Sequence, residues 1–105
     1  MSPHPLTLAY LQTVANRPGM YMQDFNLTEL EFQLFGYDTA LADVGVLGEH
    51  ERFNFSFNEY VRTNSQLSCS RGWAYALLQK YGQGEQAFRQ FLALVERATS
   101  PKPCA

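Results

Sequence analysis

The side chains in this sequence that could do chemistry are few, and their spacing excludes most of the reactions they suggest. The two histidines are His4, within Ser2-Pro3-His4-Pro5, and His50, between Glu49 and Glu51. A general base needs its proton donor within hydrogen-bond reach, and no nucleophile stands near either one in the chain. Cys69 and Cys104 lie far apart with no adjacent histidine to draw out a thiolate. Glu49-His50-Glu51 offers metal-ligand types, but three consecutive residues do not easily face one ion. No zinc spacing, phosphate-cradling glycine loop or nucleophile elbow occurs. The expectation is a protein without catalytic residues, metal, cofactor or small-molecule substrate. Its two cysteines are expected as free thiols in a reducing cytosol, because a disulfide framework needs more of them.

Charge points towards association. Over the whole chain it is −2, yet Asp24 to Glu59 holds eight acids (Asp24, Glu29, Glu31, Asp38, Asp43, Glu49, Glu51, Glu59) against the single base Arg52. From Tyr60 onward six bases oppose two acids. Such an acidic stretch steers a basic partner. The later bases are spread out with no Lys/Arg cluster, so direct nucleic-acid binding is not expected. No apolar run approaches the length of a membrane span. The first residues lack the basic-then-apolar pattern of a signal peptide, so a cytoplasmic location is expected.

Helices must position these groups. At 105 residues the chain has room for one domain and one core. Pro5 to Ala15 reads as a first helix, with Leu8, Leu11, Val14 and Ala15 at helical spacing and Arg17-Pro18-Gly19 ending it. Met20-Tyr21-Met22 reads as a turn or short extended segment. Asn26 caps a second helix, with Glu29 placed to close a capping box. Its stripe is Leu27, Leu30, Leu34, Tyr37 and Leu41. Gly36 inside that helix implies close packing by another element. Gly45 to Gly48 ends it.

Arg52 to Thr63 carries both a strand-like alternation (Phe53, Phe55, Phe57) and a helical stripe (Phe53, Phe57, Tyr60, Val61). The longer period favours a helix. Ser68 or Ser70 caps a fourth helix through Trp73, Leu77 and Leu78 to Lys80. Gly82-Gln83-Gly84 turns the chain into a fifth, Glu85 to about Ala98, striped by Phe88, Phe91, Leu92 and Val95. The fold expected is an all-α bundle of about five helices, residues 1–105 as one domain, with 1–5 and 99–105 frayed.

One short string is a false lead. Arg17-Pro18-Gly19-Met20-Tyr21 is similar to a segment of the type II topoisomerase ATPase domain. The helix that follows here, Leu27-Thr28-Glu29-Leu30-Glu31-Phe32, lacks the Glu and Asn that hold magnesium-nucleotide there.

In order along the chain, the landmarks are Arg17-Pro18-x-Met20-Tyr21, Asn26-Leu27-x-x-Leu30, Phe32, Leu34 and Gly36-Tyr37. Phe53, Phe57 and Val61 follow, then Ser70-x-Gly72-Trp73, then Glu85-x-Ala87-Phe88-x-x-Phe91-x-x-Leu94. Over about residues 6–97 this pattern resembles the small helical immunity proteins of contact-dependent growth inhibition and related bacterial polymorphic toxin systems. It departs at Gln23-Asp24, where the pattern has Gly and an acid. The resemblance implies a protein that binds a cognate toxin domain, often a nuclease, and covers its active site. It also implies that Arg17, Pro18, Met20, Tyr21, Gly36, Tyr37, Gly72 and Trp73 serve the fold. The acids expected to meet the toxin are Asp38, Asp43, Glu49, Glu51 and Glu59, exposed late in the second helix and beyond it. The alternative is a non-enzymatic interaction or assembly module, such as a homodimer, using an exposed aromatic such as Phe55 or Tyr75.

Overall fold

The computed structural model describes residues 1, 3–48 and 51–100. It is an all-α bundle of five helices: α1 (Pro5–Asn16), α2 (Leu27–Asp43), α3 (Phe53–Ser65), α4 (Trp73–Tyr81) and α5 (Glu85–Thr99). Two 3-10 turns, Pro18–Met20 and Gln23–Phe25, join α1 to α2, and no strand occurs among the described residues. No helix among them is long and apolar enough to cross a membrane.

α1 begins with Pro5 in its first turn, where a missing N–H costs nothing. The His4 ring caps it, Nδ1 accepting from the Leu6 amide at 3.1 Å. The Met1 ammonium donates to the Ala98 carbonyl at 3.2 Å. The expected fraying of 101–105 lies outside the described residues.

Asn26 caps α2 by accepting from Thr28 N at 2.9 Å. The capping box does not close as expected. Glu29 reaches past the cap to the Gln23 amide at 2.8 Å, because Asn26 N is already taken by Gln23 O. Asp24 and Phe25 both take left-handed backbone there, φ 51° and 57°. That geometry is uncommon for a bulky residue, and Phe25 is held in it against the Phe88 ring, 5.6 Å between centroids.

The core is aromatic where α3, α4 and α5 meet. Trp73 is fully buried and stacks on Phe91 at 4.6 Å, with Phe57 edge-on to both at 5.3 and 5.4 Å. Its indole N–H donates to Asn54 Oδ1 at 2.9 Å, so the ring is buried without an orphaned donor. Asn54 in turn donates to the Glu31 carbonyl at 3.0 Å and so ties α2, α3 and α4 together.

A second, more polar cluster fixes α1 on α2. Tyr10 stacks on Tyr37 at 4.8 Å, meets Tyr21 edge-on at 5.8 Å and donates to Gln33 Oε1 at 2.7 Å. The Gln33 amide group donates to the Tyr21 carbonyl. Burial and the two neighbouring phenols raise the Tyr10 pKa. Tyr21 thus pins the first inter-helix turn as expected. Arg17 is exposed, and its guanidinium meets only the Met20 sulfur, at 3.9 Å.

Candidate functional site

The acids expected to face a partner divide sharply. Asp38 is 1% exposed, and expecting it at the surface was wrong. Its Oδ1 accepts from the Thr7 hydroxyl at 2.8 Å and its Oδ2 from the Phe53 amide at 2.6 Å. α3 has no cap of its own, since Arg52 precedes it without a side-chain bond to its amides. Asp38 supplies that cap across space, where a carboxylate also suits the helix dipole.

Glu31 does the same for α4. The expected caps, Ser68 and Ser70, bond each other at 3.3 Å, and Gly72 precedes the helix instead. Glu31 Oε2 accepts from the Ala74 amide at 3.4 Å. Gly72 is required by its φ of +91°, and a Cβ there would also crowd the end of the Glu31 side chain. Glu31 and Asp38 are seven residues apart, two helical turns on the same side of α2. Two members of the acidic stretch are therefore caps for the helices packed on α2.

The remaining acids are outside. Asp43 is exposed in the last turn of α2 and bonds nothing among the described residues. Glu51 is exposed and folds back on the Gly48 amide at 2.7 Å. Glu59 pairs with Arg62 at 2.7 Å, with both side chains more than half exposed. A pair of this kind contributes little to stability. Glu49 lies outside the described residues, as do His50 and Cys104. Cys69 is half-buried with a free thiol, whose pKa burial pushes up.

The outer face of α2 is apolar. Phe32 is 69% exposed and Phe35 is 56% exposed. At 100° per residue, Phe32, Phe35, Gly36, Thr39 and Asp43 fall along one line of the helix. Gly36 is exposed there, and a Cβ on it would meet nothing within 4 Å, so the close packing expected at this glycine does not occur. Beside this line, Arg52 stands over the Phe35 ring, 5.9 Å from its centroid, and donates to the Thr39 hydroxyl at 3.3 Å. Phe55 and Tyr75 are also exposed, on α3 and α4, as the assembly reading expected. Arg71 stands 5.0 Å over Tyr75.

Two concavities matter for chemistry. A groove of about 530 Å³ between α1 and α5 has an apolar floor that includes Leu8, Leu11, Leu92 and Val95. A smaller recess of about 260 Å³ is lined by Glu31, Phe32, Phe35 and Asn54. Among the described residues no three His, Cys, Asp or Glu side chains come together as a metal site. Comparison with protein-family models, curated proteins and solved structures finds no match to this chain.

Sequence reasoning read the core stripe of α2 and missed its other face. Phe32 stood in the sequence as a landmark, and Phe35 went unnoticed. The available signal was that positions 32, 35 and 36 lie opposite Leu27, Leu30, Leu34 and Leu41, so that α2 is apolar on both sides.

Proposed function

We propose that the chain is an immunity protein that binds a cognate bacterial toxin domain, a nuclease, in the cytoplasm and covers its active site. It performs no catalysis and needs no cofactor. The observation that carries this reading is the exposed face of α2, with Phe32 and Phe35 along it and Asp43 in its last turn. Protein interfaces have that anatomy, an aromatic core and a polar rim, and isolated exposed rings need no such explanation while a contiguous face does. A nuclease presents positive charge to phosphates. The exposed carboxylates of Asp43 and Glu51 would speed its capture. The order of landmarks shared with immunity proteins supports the same reading, and Gly72 and Trp73 serve packing as that resemblance implies.

The exposed phenylalanines also suit a homodimer. A basic partner is favoured because Asp43 and Glu51 are exposed carboxylates with no cationic partner among the described residues. Co-expression with the product of the gene immediately upstream tests the proposal. Growth is rescued by the wild type, and Asp43→Lys and Glu51→Lys slow association and reduce its salt dependence. Absence of rescue, together with a stable dimer in sedimentation equilibrium, would overturn it in favour of assembly.

A further inference from the structure

We infer that the recess formed by Glu31, Phe32, Phe35 and Asn54 receives an arginine side chain of the protein partner. This rests on the reading of the outer α2 face as an interface, and it names the chemistry at that interface's centre.

Glu31 is the reason to expect a cation. It is half-buried, and it has no cationic partner among the described residues, whose ion pairs are Arg62–Glu59 and Arg89–Glu85. Its Oε2 accepts from the Ala74 amide, and no hydrogen bond to Oε1 forms among the described residues around it. The carboxylate lies close to the Gly72 backbone, and the Glu31 carbonyl accepts from Asn54. Desolvation raises its pKa, the Ala74 and Trp73 amides opposing that only in part. An arriving cation would offset the cost of this desolvation by Coulombic attraction.

The walls select which cation. Phe32 and Phe35 present exposed rings beside the carboxylate. A guanidinium is planar, weakly hydrated and able to lie on a ring while its edge donates to a carboxylate, whereas a lysine ammonium is a compact, strongly hydrated point. This surface already uses the contact: Arg52 lies over Phe35 and Arg71 over Tyr75. Arg52 is held by Thr39 and does not line the recess, so it leaves the space open. At about 260 Å³ the recess falls below the roughly 300–1,000 Å³ of small-molecule sites and suits the end of one long side chain. Arginine in a desolvated pocket ringed by aromatic contacts is a common centre of binding energy.

The test uses a short blocked peptide with one arginine, and the same peptide with lysine or with neutral, isosteric citrulline. Each is titrated into the isotope-labelled protein and read by amide chemical shifts. The arginine peptide is expected to give saturable shifts centred on Glu31, Phe32, Phe35 and Asn54. Citrulline should bind at least about tenfold more weakly, a loss of ~1.4 kcal/mol, and lysine between the two. Glu31→Gln keeps an oxygen for the α4 amides but removes the charge, and Phe35→Leu alters an exposed ring, so both variants fold. Each should abolish the localised shifts. Shifts spread equally over Asp43, Glu51 and Glu59, or the absence of saturable shifts, would overturn the proposal. So would equal affinity in both variants. If the peptide binds in the recess while no toxin is neutralised, the recess stands and the immunity reading falls. If toxin is neutralised equally by wild type and both variants, the reverse holds.

Discussion

α5 and α2 are both long helices, and they sort their side chains differently. In α5 the order follows polarity: Ala87, Phe88, Phe91, Leu94 and Val95 face the core, while Glu85, Arg89, Glu96 and Arg97 face outward. α2 breaks that order in both directions. It carries the carboxylate of Asp38 inward and the rings of Phe32 and Phe35 outward. The inward departure is compensated inside the molecule, because Asp38 caps α3 and binds Thr7. The outward departure is compensated only slightly among the described residues, by Arg52 standing over the Phe35 ring. A local rule broken with so little internal gain marks the place where selection acted on something besides folding, and here that place is the outer face of α2.

The largest effects should come from the side of the bundle where α5 obeys polarity. Phe91→Ala removes a fully buried ring that stacks on Trp73 and meets Phe53 and Phe57 edge-on. It should cost about 3–5 kcal/mol in denaturant unfolding. A cost near that of a surface change would mean the aromatic centre is not the core.

Next comes the inward departure on α2. Asp38→Ala strands the Phe53 amide and the Thr7 hydroxyl in a buried place. Losing a charge-assisted bond costs about 1.5–3 kcal/mol, and unsatisfied partners add to it. A loss of roughly 3 kcal/mol in urea unfolding is expected, and Asp38→Asn should recover part of it by keeping one acceptor. If Asp38→Ala were as stable as wild type, the capping of α3 would have to come from elsewhere.

The outward departure should behave oppositely. Phe32→Ser and Phe35→Ser should leave the melting temperature nearly unchanged, since exposed positions usually move stability by no more than about 0.5 kcal/mol. Affinity for the toxin domain should fall by about 2 kcal/mol for at least one of them. Calorimetric titration beside a thermal melt separates the two quantities. Destabilisation without loss of affinity would place these rings in the fold and move the interface elsewhere.

Much of this architecture was legible in the residues. Leu27, Leu30 and Leu34 on α2, and Phe88 and Phe91 on α5, recur with the helical period, and that period alone sets which face is buried. Trp73 was readable as core for the same reason. The caps of α3 and α4 were not. Asp38 and Glu31 lie 15 and 43 residues before the amides they bind, and nothing local in the sequence marks a carboxylate that caps a distant helix. Local capping rules therefore pointed to Ser68 or Ser70, and charge counting placed Asp38 on the surface. Gly36 misled for a related reason: a mid-helix glycine often admits a neighbour, but no described residue packs against this one.

A smaller effect follows at that glycine. Gly36 has ordinary helical backbone and open space where a Cβ would go. Gly36→Ala should therefore raise stability by about 0.5–1 kcal/mol, mainly by restricting the unfolded chain. A thermal or urea melt reads it directly. If the partner packs against this stretch of α2, the added methyl should weaken binding while stabilising the free protein. Stabilisation with unchanged affinity would confine the interface to the Phe32 end of the face.

The smallest effect is a pH dependence at Glu31, one of the two capping carboxylates of α2. Its pKa is raised, chiefly by desolvation, above the ordinary carboxylate value. As pH rises, the unfolded chain gives up this proton first while the folded protein still holds it. The folded state then binds more protons, so this group's contribution to stability falls with increasing pH between its unfolded and folded titrations. Below that window both states are protonated, and above it the full cost of the charged, partly desolvated carboxylate is present. Half-exposure keeps that cost small, because water screens the charge. Glu31→Gln cannot ionise and still offers an oxygen to the α4 amides. Its stability relative to wild type should therefore improve through the mildly acidic range and level off above it, measured by urea unfolding at a series of pH values. A variant that instead loses ground as pH rises would show that Glu31 is stabilised as a carboxylate by a partner charge in the free protein. In that case the recess would already be filled before any toxin arrives.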